Sequence, residues 1–98
     1  TVEIKKDYVA AYFERGTART HLGDTRGAIG DFSRAIELKK DHAEAFANRG
    51  LCHQALKDLS RATADFEAAL RVAPQDWPHR ASVQKWLDDA RAKLGRNP

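Results

Sequence analysis

Apolar residues recur along this chain three and four positions apart, and nowhere do they alternate with polar residues as a strand would require. Tyr12, Gly16, Arg19 and Leu22 keep one helical face until Gly23-Asp24 interrupts it. Ala28, Ile29, Phe32, Ala35, Ile36 and Leu38 then form a second stripe. The succession returns with Phe46, Gly50, His53 and Leu56 before Lys57-Asp58, followed by Leu59, Ala62, Phe66, Ala69, Leu70 and Val72. Ala73-Pro74 ends that run, because proline disfavours helix at the residue before it. A last stripe, Val83, Trp86, Leu87, Ala90 and Leu94, precedes Gly95, and Pro78 suits its first turn. The pattern predicts an all-α chain of five helices near residues 8–22, 25–39, 42–56, 59–73 and 79–94. Loops this short make consecutive helices antiparallel. Residues 1–6 and 95–98 read as loose ends.

Start signals agree with these bounds. Asp24 and Asp58 stand at the turns, where a carboxylate accepts from orphan backbone N–H groups. Asp41 followed by Glu44 has capping-box spacing, and Asp7 and Asp76 precede the first and last stripes.

The chain also repeats itself. Shifted by 34 residues, the pairs from Val9/Ala43 to His42/Asp76 contain nine identities, among them Arg15/Arg49, Gly16/Gly50, Asp31/Asp65 and Phe32/Phe66. Chance would supply about two. The division is one domain over 1–98, with repeat one at 9–42, repeat two at 43–76 and a closing helix at 79–94. One helix pair cannot cover its own apolar face, so stacking makes the core. Gly16, Gly50 and the alanines at 28, 35, 62 and 69 leave room for close helix approach, and Phe32 and Phe66 fill the space between.

This pattern resembles the tetratricopeptide repeat, whose motif is W-x2-L-G-x2-Y, then A-x3-F, then P. Repeat two reads Phe46-x2-Arg49-Gly50-x2-His53, Ala62-x3-Phe66, Pro74; repeat one reads Tyr12-x2-Arg15-Gly16-x2-Arg19, Ala28-x3-Phe32, with Lys40 in place of the proline. Arg15 and Arg49 replace leucine, and Arg19 and His53 replace tyrosine; Glu14, Asp31 and Asp65 are the candidate acid partners of these four basic residues. The resemblance implies an α-solenoid that binds a peptide or protein segment on the concave side of the first helices of each pair. Its offsets from the motif glycines place Phe13, Thr17, His21, Asn48, Leu51 and Gln54 on that surface, with Glu14, Thr20, Ala47 and Ala55 beside them and Ser82 and Lys85 flanking. Some relatives hold a C-terminal carboxylate with Lys, Asn and Arg. Asn48 alone matches that clamp here, and Phe13 and Thr17 stand where its Lys and Asn would be.

Composition narrows the alternatives. Seventeen basic against fourteen acidic residues give a net charge of +3, with the two signs interleaved on helical faces. That mixture argues against nucleic acid as partner, the basic last helix (Arg80, Lys85, Arg91, Lys93, Arg96) being the one segment that points to it. Catalysis finds no support. Cys52 and His53 are neighbours, and adjacent helical residues point about 100° apart. The four histidines contain no pair at metal-ligand spacing, and no glycine loop cradles phosphate. No cofactor is implied. The single Cys52 forms no internal disulfide, which suits a cytoplasmic setting as well as others. The absence of methionine and the start at Thr1 suggest an excised or processed chain. Trp77 and Trp86 are candidate contact residues or end-of-core packing. The second functional reading is an oligomerisation or scaffold element associating through the array's ends or outer face.

Overall fold

The structure, a computed structural model, describes residues 2–95. Five helices follow one another: α1 (Val2–His21), α2 (Thr25–Leu38), α3 (Ala43–Ala55), α4 (Leu59–Val72) and α5 (Arg80–Gly95), with no strand among the described residues. Each packs chiefly on its neighbours in sequence, so the chain is a stack of helical hairpins.

Turn chemistry sets the hairpins. Asp24 Oδ1 accepts from the N–H of Gly27 at 3.0 Å, and Asp58 Oδ1 accepts from that of Arg61 at 3.2 Å. Gly23 and Lys57, one period apart, both hold the left-handed backbone that reverses the chain, with φ of 83° and 66°. α4 stops at Val72 because Ala73, ahead of Pro74, is extended.

Three expected bounds are corrected. α1 begins at Val2, not near residue 8, so residues 2–6 and Asp7 lie inside the helix; of the expected loose C-terminus Gly95 is helical, and 96–98 lie outside the described residues, as does Thr1. α3 is capped by His42, not Asp41: its Nδ1 accepts from the N–H of Ala45 at 3.4 Å. Pro78 precedes the first turn of α5, which opens with Val83 N–H donating to His79 C=O.

The core runs the length of the stack. Ala28, Phe32 and Cys52 join α2 to α3, and Val9, Ala35, Ile36 and Ala45 continue beside them. Phe46 links these to the far group of Phe66, Ala69, Val83, Leu87 and Ala90. Trp86 lies 6.0 Å from the Phe66 ring and closes that end, and Trp77 packs at the turn edge-on to His79. Leu22 and Leu56 depart from their expected stripes, because the chain turns at each and leaves them at the rim; Leu22 is 83 % exposed.

Candidate binding surface

The basic residues at the motif positions serve the scaffold. Arg15 donates through Nε and Nη2 to the two Asp31 carboxylate oxygens at 2.9 and 2.7 Å. Arg49 does the same to Asp65 at 2.8 and 2.7 Å. Each fork ties the first helix of a pair to the second, and its bidentate geometry fixes their register. Arg19 adds a third donor to Asp31, while His53 Nε2 lies 3.7 Å from Asp65. The Arg15 hydrogen bond holds the Asp31 carboxyl below the usual carboxylate range. Glu14 takes no part in these pairs.

Cys52 and His53 face different surroundings. The Cys52 sulfur is buried against Phe32 and Ala28 and sits 3.7 Å from Thr20 Oγ1. Burial raises its thiol pKa, while burial lowers that of His53. A thiol so placed stays protonated and is a poor nucleophile. Among the described residues no group of three His, Cys, Asp or Glu is placed to hold a metal ion, and no helix is long and apolar enough to cross a membrane.

One face of α1 carries two concavities along its length. Toward the C-terminal half, Thr17, Thr20, His21, Asn48 and Leu51 surround the edge of Phe32 in a hollow of about 160 Å³ between α1 and α3. Both threonine hydroxyls are turned back, donating to the C=O of Phe13 and Gly16, so their protons are committed and only acceptor capacity is left. Among the described residues the half-buried Asn48 amide has no hydrogen-bond partner, and Leu51 is partly exposed. Toward the N-terminal half, Val9, Phe13 and Leu38 floor a wider hollow of about 430 Å³, with Lys5, Lys6 and Lys39 at its edge.

The structure thus brings Thr17, His21, Asn48 and Leu51 together. Phe13 stands in the neighbouring hollow, stacked on His42 at 4.8 Å and tilted against Phe32, so it is partly a packing residue. Gln54 is half-buried and lines neither hollow, and Ser82 and Lys85 are exposed on α5 away from both. The lysine edge was missed in the sequence because Lys5 and Lys6 were read as loose chain; continuation of the helical register through Val9 is the signal that places them. On α5, Arg80 donates to the carbonyls of Leu70, Ala73 and Pro74, and Arg91 pairs with Glu67 at 2.9 Å. Arg96 lies outside the described residues.

Comparison with known proteins adds the following. Residues 43–76 match the tetratricopeptide repeat family. Among solved structures, the first TPR of Spaghetti (RPAP3) bound to the HSP90 peptide SRMEEVD is similar, with a TM-score of 0.80 and 23% identity over 91% of this chain and 68% of that one. No curated protein sequence is matched.

Proposed function

We propose that this chain, whose residues 43–76 match the tetratricopeptide repeat family and whose five helices are similar in fold to a TPR domain, is a protein-interaction module that binds an extended peptide segment along the α1–α3 face. The observation that carries this reading is the hollow between Thr17, His21, Asn48 and Leu51. It joins an apolar floor to one uncommitted amide, and a side-chain amide offers two donors and an acceptor to a peptide backbone. An apolar side chain of the ligand fills the hollow against Leu51 and the Phe32 edge, and Asn48 holds the main chain beside it. The similar structure holds a peptide, which supports a peptide ligand here. Phe13 and Thr17 leave the carboxylate clamp incomplete, so recognition runs through the body of the segment rather than its C-terminus. The ends of the groove lie close, so affinity is modest unless modules act together. A catalytic role is not part of this reading, because Cys52 is buried and protonated.

The test begins with a phage-displayed library of linear peptides panned on the 98-residue chain. A selected peptide, titrated by calorimetry, should lose roughly tenfold or more in affinity on Asn48→Ala and on Leu51→Glu, with helical content intact. Unchanged affinity in both variants moves the site elsewhere.

A further inference from the structure

The hollow at the N-terminal half of α1 differs in kind from the one beside Leu51. Val9, Phe13 and Leu38 floor it, and the α2–α3 link closes one side with Lys39 and His42. The small, exposed Ala10 stands at its mouth. Its volume is about 430 Å³, against about 160 Å³ for the Leu51 hollow. Sites for small organic molecules span roughly 300–1,000 Å³, and they too are mostly apolar with a few placed polar groups.

The charged groups of this hollow are sorted by position. Lys5 and Lys6 lie at one end and make no ion pair among the described residues, while Lys39 on the link is 3.6 Å from Asp41. Glu14, the one acid among the described lining residues, stands nine residues along α1 from Lys5. At 1.5 Å per residue that is about 14 Å. One end is therefore cationic, the floor is apolar, and the far end is acidic. His42 adds a directed donor. Its Nδ1 accepts from the N–H of Ala45 at 3.4 Å, so the proton of the neutral ring is on Nε2. Stacking on Phe13 at 4.8 Å holds the ring against the floor. Among the described residues Nε2–H has no acceptor, and it is not sealed from solvent.

We propose that this hollow binds a single-chain anionic amphiphile, of which a medium-chain carboxylate is the simplest. Its alkyl tail lies over Val9, Phe13 and Leu38, and its carboxylate accepts from His42 Nε2–H beside the ammonium groups of Lys5 and Lys6. The lysines select an anionic head over a neutral or cationic one. Glu14 opposes a ligand with a second anion at the far end, or one acidic along its whole length. None of this uses Asn48 or Leu51, so this proposal and the peptide-binding one stand or fall separately.

The probes are hexanoate, octanoate and decanoate, each below its micelle concentration, titrated at pH 7.5 by calorimetry and by amide NMR. Saturable binding is expected, with Kd falling about fourfold per added methylene. The largest shifts should fall at Val9, Ala10, Phe13, Leu38 and His42. Decyltrimethylammonium, with the same tail and the opposite charge, should bind about tenfold or more weakly. Lys5→Glu combined with Lys6→Glu should weaken decanoate binding by a similar factor. Ala10→Trp fills the hollow from an exposed position, so it should remove decanoate binding at an unchanged melting temperature. Equal binding of the cationic amphiphile, decanoate shifts at Thr17, Asn48 and Leu51 instead, or full affinity in Ala10→Trp would each overturn the proposal. So would a concentration-dependent dimer whose shifts fall on the five hollow residues, or a Glu-rich linear peptide that binds there where decanoate does not.

Discussion

At position 50 a hydrogen atom stands where a methyl group would lie 2.6 Å from Cε1 of Phe66 and 3.2 Å from Cβ of Asp65. Phe66 is fully buried, so it has nowhere to move. Gly50→Leu is therefore expected to cost about 3 kcal/mol or more by overpacking. Glu67→Leu loses one exposed ion pair with Arg91, worth at most about 1 kcal/mol. Urea midpoints of the two variants check this, and equal midpoints would show the hairpin packing misassigned. Lys57 holds a left-handed backbone that Gly23 holds one period earlier. A side chain there costs about 1 kcal/mol, so Lys57→Gly should raise the melting temperature, and no rise would mean that the turn relaxes. The glycines, alanines and phenylalanines of the packing were legible in the sequence because their sizes and spacing are the message. The acid partners of Arg15 and Arg49 were not, since Glu14, Asp31 and Asp65 are chemically alike and only the approach of two helices selects among them.

At the scale of elements, the stripes located α2 to α5 to within about a residue at most ends, but α1 was cut short. Its first turns precede the apolar stripe and mix Val2 and Ile4 with Glu3, two lysines and an aspartate, so the stripe did not announce them. The α3 cap was missed for a related reason: an imidazole nitrogen accepts as a carboxylate does, and Asp41 is the more familiar cap. That cap makes stability depend on pH. Burial, first, lowers the pKa of His42, and likewise that of His53, so the folded chain prefers both rings neutral. The unfolded chain, with histidine near 6.5, then takes up protons first as pH falls. The stabilisation is complete above that value and is lost on acidification through it toward the lower folded pKa values. Denaturant melts between pH 7.5 and 5 should show this decline. His42→Asn, an uncharged and favoured cap, should flatten it partly, and an identical slope in that variant would assign the dependence elsewhere. α5 covers Phe66, Ala69 and Leu70. A chain ending at Asp76 should expose them and self-associate, which sedimentation velocity would detect; a monomer of equal stability would mean that α5 is not needed as a cover.

For the whole molecule, stacking of hairpins leaves one continuous face of α1 beside α3, and the account rests on that face being where a peptide lies. Four of the six residues assigned to it from the sequence meet at one hollow, because positions offset by three or four along a helix, and by one period between like hairpins, share a face. Phe13 and Gln54 fall outside it: Phe13 stacks on His42 in the neighbouring hollow, and Gln54 is half-buried and lines neither hollow. The most direct test is a two-dimensional amide NMR titration of the chain with a peptide selected from the linear library. The account predicts that the largest shifts cluster at Thr17, Thr20, His21, Asn48 and Leu51, with smaller ones at Phe13. Shifts confined to α2, α4 or α5, with those five residues unmoved, would contradict it.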